Sequence, residues 1–164
     1  MTTVEQLTQA LKVGDEATRA AAAEQLSRLG GDAQPAIPAL VQGAGANDEA
    51  LREWCVAALE EVGPPAHEQI ADLMALAQAA NESVAYWGIT LLGRGGAACE
   101  SAVPVLIDRL GDGTAAAVQQ RAAWALGEIG HGNAQATAVL QAVAAGQGPA
   151  APHARQALSR LAAA

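Results

Sequence analysis

Few residues in this chain have the side-chain chemistry for catalysis or metal binding, and they are scattered. There are three histidines (His67, His131 and His153) and two cysteines (Cys55 and Cys99). A metal centre needs several such donors at short, paired spacing, and none of the histidines has a Cys or Asp at ligand distance along the chain. His67-Glu68 is a lone dipeptide and reads as the solvated start of a helix. Gly93-Arg94-Gly95-Gly96 lacks the Gly-x-Gly-x-x-Gly spacing of a phosphate cradle and follows a helical pattern, not a strand. No Gly-x-Ser-x-Gly elbow occurs. Asn81-Glu82-Ser83 matches a glycosylation acceptor, but it is better explained as a helix cap. This inventory predicts a protein without catalytic residues, metal or cofactor.

Charge and composition narrow the partners. The 164 residues carry 17 acidic and 9 basic side chains, a net charge of −8. A nucleic-acid binder needs a basic stripe to displace phosphate counterions. Here Lys12, Arg19, Arg28, Arg52, Arg94, Arg109, Arg121, Arg155 and Arg160 are spread along the chain. Nucleic acid and membrane are therefore not expected as partners. Neither a basic leader followed by an apolar stretch nor a membrane-length apolar run is visible, and a reduced, cytoplasmic setting is expected. With 2% aromatics and no Phe, the chain is a poor candidate for sheets.

The elements emerge from an internal repeat, which organises the whole chain as one domain, 1–164. Thr18–Gly30, Leu51–Gly63, Val84–Gly96 and Val118–Gly130 align in register, and Ala150–Ala162 is a degenerate fifth copy. Four residues before the closing position stand Leu26, Leu59, Leu92, Leu126 and Leu158. Eight before it stands a small residue each time: Ala22, Cys55, Gly88, Ala122 and Ala154. These columns share one face of a 3.6-residue helix, and the small column permits close helix–helix approach. The closing Gly30, Gly63, Gly96 and Gly130 are expected to stop each helix in the left-handed conformation. Asp15-Glu16, Asn47-Asp48-Glu49, Asn81-Glu82 and Thr114 stand just upstream of the first helices, where caps belong.

A second helix follows each glycine, marked by Ile37/Leu40, Ile70/Leu73, Val103/Leu106 and Leu140. Pro38 and Pro104 fit only in its first turn, where an N–H has no intrahelical partner. Val4 and Leu7 match these columns, so the chain opens on a lone second helix. The expected helices span 3–12, 15–29, 34–43, 47–62, 66–79, 81–94, 99–110, 115–129, 133–145 and 150–163. No single pair can bury its apolar face, so the predicted fold class is an all-α solenoid of about five stacked hairpins.

The string VQQRAAWALGEIG at Val118–Gly130, with Pro38-Ala39-Leu40 and Pro104-Val105-Leu106, resembles the short HEAT-type repeat of phycobilisome-lyase-like proteins. The resemblance covers essentially the whole chain. Some proteins built from similar repeats are enzymes. Deoxyhypusine hydroxylases hold iron with His-Glu pairs early in the first helix, but the matching pairs here are Ala20-Ala21, Glu53-Trp54, Tyr86-Trp87, Gln120-Arg121 and Pro152-His153. HEAT-like DNA glycosylases use a basic groove, which this acidic chain lacks. A subunit of a bilin-lyase-like, tetrapyrrole-handling enzyme is the alternative the resemblance implies. The principal reading is a non-catalytic scaffold that binds a partner protein or peptide on the concave face.

The docking face is expected on the second helices, taken to line the inner wall. Its candidate residues are Asp72, Leu76, Val105, Asp108, Arg109, Val139 and Val143. Tyr86 and Trp124 are the candidate exposed aromatics, whereas Trp54 and Trp87 are expected to pack between repeats. Arg28, Glu61, Arg94, Glu128 and Arg160 alternate in sign at one column and are expected to attract along the stack.

Overall fold

The computed structural model describes residues 1–163, and the described residues contain ten α-helices and no strand. They are α1 (Thr3–Val13), α2 (Glu16–Ser27), α3 (Ile37–Gly43), α4 (Glu49–Glu61), α5 (Ile70–Leu76), α6 (Glu82–Arg94), α7 (Val103–Asp108), α8 (Ala116–Ile129), α9 (Ala134–Ala145) and α10 (Ala151–Ala163). Even-numbered and odd-numbered helices form two layers of an α-solenoid, with one continuous apolar cluster between them.

The repeated columns build that cluster. Leu26, Leu59, Leu92 and Leu126 are fully buried, as are Leu40, Leu73, Leu106 and Leu140 on the facing layer. Leu158 is half-buried, since the last helix has a repeat on one side alone. The small column does what its size predicts. A Cβ on Gly88 would lie 2.8 Å from the backbone nitrogen of Ala77, so α6 meets the C-terminal end of α5 at backbone distance. Gly127 does the same for the next junction, where its Cβ would stand 2.7 Å from that of Ala157.

Local chemistry explains most helix starts. The side chains of Asp15, Asp48, Asn81 and Asn133 accept N–H bonds from Thr18, Leu51, Val84 and Ala136 at 2.7–3.1 Å. Thr2 and Glu5 form a reciprocal capping box on α1. The expected cap Thr114 does not act as one, because α8 begins two residues on, after Ala115, with no side-chain cap. Pro38 and Pro104 sit in the first turns of α3 and α7.

Two expectations are corrected. The second helices are shorter than the sequence suggests. Those at 34–43, 66–79 and 99–110 resolve into 3-10 segments at Gly30–Ala36, His67–Gln69 and Gly96–Ala102, followed by α-helices of six or seven residues. Among the closing glycines, Gly30 and Gly96 are left-handed, but Gly63 and Gly130 are not. Gly63 precedes Pro64, whose ring favours extended backbone before it, and Gly132 supplies the positive φ in the fourth copy.

Long helices α2 and α4, α6 and α8, and α8 and α10 run in close backbone contact, whereas α4 and α6 approach less closely and successive short helices meet over less of their length. The long helices α2, α4, α6, α8 and α10 form one layer, and the shorter segments with α1 and α9 form the other.

Candidate functional site

The expected docking residues lie on the short-helix layer, on or just beyond α5, α7 and α9, and most of their apolar surface is engaged. Leu76 on α5, Val105 on α7 and Val143 on α9 are half-buried and pack on the core. Val139 is half-buried too. Asp72 and Asp108 are exposed, and Arg109, just beyond α7, is half-buried with its Nε sealed from solvent and unpaired. Asp72 and Leu76 do share a shallow groove of about 310 Å³ with Lys12, Pro38, Gln42 and Ala79. The structure does not bring the seven residues into one exposed apolar patch.

The long-helix layer is better furnished. On α4 the helical spacing sets Glu49, Glu53 and Glu60, and beside them Ala50, Trp54 and Glu61, on the solvent face. Trp54 is 37% exposed, the aromatic left most open to solvent, which reverses the expectation that it fills inter-repeat space. On the neighbouring α2 the matching column is Ala21, exposed beside Ala17 and Gln25, so the strip alongside Trp54 is low and open. Trp87, by contrast, packs on the core as expected, with the Arg94 guanidinium 5.9 Å from its ring centre.

Tyr86 and Trp124 are not the exposed aromatics that the sequence suggested. Both are half-buried because Arg121 lies between them, 4.5 Å from the Tyr86 ring and 4.9 Å from the Trp124 ring. An Arg121 N–H also donates to the Tyr86 hydroxyl. Trp124 reaches across to α6, where Gly93 leaves room for its ring. With Ala117, Gln120 and His153 these residues line a cavity of about 300 Å³ spanning α6, α8 and α10. Sequence reading missed this cluster, although Trp87, Arg121 and His153 share one repeat column.

The arginines explain how the layers are tied. Arg94 donates from one terminal nitrogen to the Leu59 and Val62 carbonyls, at 2.5 and 3.1 Å, closing the end of α4. Arg19 and Arg155 donate to Leu11 and Ala144 at the ends of α1 and α9, and Arg52 to Ala46 after α3. Burial holds Arg94 below the ordinary guanidinium value, and the nearby Arg121 charge adds to that. The expected alternating ladder forms at one rung, Glu128–Arg160 at 3.0 Å. Arg28 turns instead to Glu24 on its own helix, and Arg94 to the carbonyls.

Charge is divided unevenly along the stack. Residues 1–83 hold 13 acidic and 4 basic side chains, and residues 84–164 hold 4 acidic and 5 basic. The first half of the chain is thus acidic, with Glu49, Glu53, Glu60 and Glu61 on the same helix as Trp54, and the second half is not. Among the described residues no three His, Cys, Asp or Glu side chains converge as metal donors. No helix is long and apolar enough to cross a membrane. Burial pushes the Cys55 thiol up to about 12 against the opposing charge of Arg19, and raises Cys99 as well.

Comparison with known proteins bears on the fold. A family model described as HEAT repeats matches residues 1–60 and 70–159. No curated protein matches the chain. Among solved structures, an engineered protein from the Northeast Structural Genomics Consortium is 21% identical, with a TM-score of 0.63 over 99% of this chain and 80% of that one. A computationally designed armadillo repeat protein for modular peptide recognition is 20% identical, with a TM-score of 0.61 over 98% of this chain and 82% of that one. A designed armadillo repeat protein in complex with a (KR)4 peptide is 18% identical, with a TM-score of 0.52 over 99% and 89%.

Proposed function

The chain belongs to the HEAT-repeat family, and from that premise we propose that it is a non-catalytic scaffold whose long-helix layer docks a basic segment of a partner protein. The observation that carries this reading is Trp54, exposed on α4 among Glu49, Glu53, Glu60 and Glu61 and bordered by the low alanine strip of α2. Exposed tryptophans anchor protein interfaces disproportionately. A ring of carboxylates around one selects cationic partners and speeds their encounter. The peptide-recognising designed armadillo proteins share this architecture, which supports an elongated wall as a peptide platform. The short-helix set Asp72, Leu76, Val105, Asp108, Arg109, Val139 and Val143 is the weaker face, because Leu76, Val105 and Val143 already pack on the core.

The test is a titration with a Lys-Arg octapeptide, read by calorimetry and tryptophan fluorescence. Saturable binding that weakens with salt, and that falls at least about tenfold in Trp54→Ala and in Glu53→Lys, is expected. Binding indifferent to both changes, or none at all, removes the proposal. The finer alternative, a tetrapyrrole-handling subunit of phycobilisome-lyase type, is tested by adding a free bilin and following its visible absorbance. The cavities, about 270 to 380 Å³, lie at the small end of ligand sites, which weighs against it.

A further inference from the structure

We infer that the cavity between α6, α8 and α10 is a carboxylate-binding site, taking an acidic side chain or a chain-terminal carboxylate. The inference does not depend on the basic-segment reading, since it concerns the other half of the wall. Its centre is Arg121, held by the rings of Tyr86 and Trp124 and by the Tyr86 hydroxyl. An arginine ordinarily loses rotamer freedom when it grips a ligand; this one is already fixed, so little more is lost on binding.

Among the described residues the guanidinium has no acidic partner. Their ion pairs are Arg28–Glu24 and Arg160–Glu128, and neither involves this cavity. The cavity's own lining, Tyr86, Ala117, Gln120, Arg121, Trp124 and His153, contains no carboxylate. The Nδ1 atom of His153 is sealed from solvent, so this nitrogen is not a contact for a ligand in the cavity. Gln120 is anchored through its amide nitrogen to the Pro149 carbonyl across the α9–α10 turn.

The chemistry of the ligand follows from these groups. One planar fork, backed by aromatic walls, matches a planar carboxylate. A phosphate would call for further cations around it. About 300 Å³ admits a group of amino-acid size and no nucleotide.

The experiment uses the full chain and four probes: acetyl-trialanine with a free carboxylate, its amide, acetyl-Ala-Glu-Ala-amide, and inorganic phosphate. Binding is read by calorimetry and by the indole N–H signal of Trp124 in two-dimensional NMR. Saturable binding of a carboxylate probe, with a shift at Trp124 and a loss of about tenfold or more in Arg121→Gln, supports the site. Arg121→Lys, which keeps the charge and loses the fork, should fall between. If the free-ended peptide alone binds, the source is a chain terminus; if the Glu peptide binds as well, a side chain suffices. No saturation below about 10 mM overturns the inference, as does binding of phosphate alone or binding unchanged in Arg121→Gln. Circular dichroism checks the fold of each variant. Should Arg121→Gln unfold, Arg121→Lys and Gln120→Ala give the same reading, and carboxylate binding unchanged in both also overturns it.

Discussion

Replacing Arg94 with Met tests how much one side chain contributes where α6 meets the end of α4. In the folded chain Arg94 bridges α6 to the carbonyls of Leu59 and Val62 at the end of α4, and it stands against Trp87. Asn81 and Gln69 also donate across this junction, to the carbonyls of Gly45 and Gln34, so Arg94 carries part of the load. A hydrogen bond to a charged donor contributes about 1.5–3 kcal/mol, and half-burial puts each of these near the lower end. The stacking on Trp87 adds about 0.5 kcal/mol at such distance. Met keeps the apolar stem, so the two bonds and the stacking give a loss of about 3.5 kcal/mol, or roughly 7–14 °C in Tm for a chain of this size. Urea denaturation followed by circular dichroism measures it. In a one-dimensional stack a weakened interface also divides cooperativity, so the slope of the transition should fall or the curve should split. A loss under about 0.5 kcal/mol with an unchanged slope would refute the reasoning, since that is what an exposed arginine yields.

Other perturbations have defined outcomes. Gly88→Ala gains up to about 1 kcal/mol of helix propensity but drives a methyl against the α5 backbone, where overpacking costs about 1–3 kcal/mol, so net destabilisation is expected in a thermal melt. Glu61→Arg should change stability by less than about 0.5 kcal/mol, because no described residue pairs with Glu61; a loss of several kcal/mol by urea titration would show a buried charge ladder after all. Cys55 and Cys99 are buried, with raised thiol values, so iodoacetamide should label neither until the chain unfolds. Labelling of the native protein at the rate of a free thiol contradicts that burial.

Asp15 supplies the pH dependence. The Thr18 side chain and, next, the Thr18 N–H hold its carboxyl below the ordinary 3.8, so its contribution is present above 3.8 and is lost as pH falls through the lowered value. The stability gap between the wild type and Asp15→Ala, measured by denaturation from pH 7 down to pH 2, should narrow on the acid side. A gap constant over that range excludes the mechanism.

The repeat, the layer of leucines and the small column were legible in the sequence because burial at helical spacing leaves a periodic trace. So were the caps Asp15, Asp48 and Asn81, each a side chain serving a donor three residues on. What escaped depends on pairs of residues in different copies. The arginine ties were illegible because their acceptors are backbone carbonyls, which have no residue type. Tyr86 and Trp124 each lie off the core face of their own helix, and that position alone leaves them as candidates for exposure. Arg121, reaching from α8 toward α6, closes the space between them.

The uneven division of acidic groups along the stack has a kinetic consequence. A molecule negative at one extremity and nearly neutral at the other exerts a torque on any cationic visitor before the two touch. At physiological salt that pull reaches about 8 Å, roughly the last few layers of water, so the visitor is turned within the final approach. Dilution of the buffer should lengthen this reach and quicken capture, while the lifetime of the complex, set by the buried tryptophan contact, changes far less.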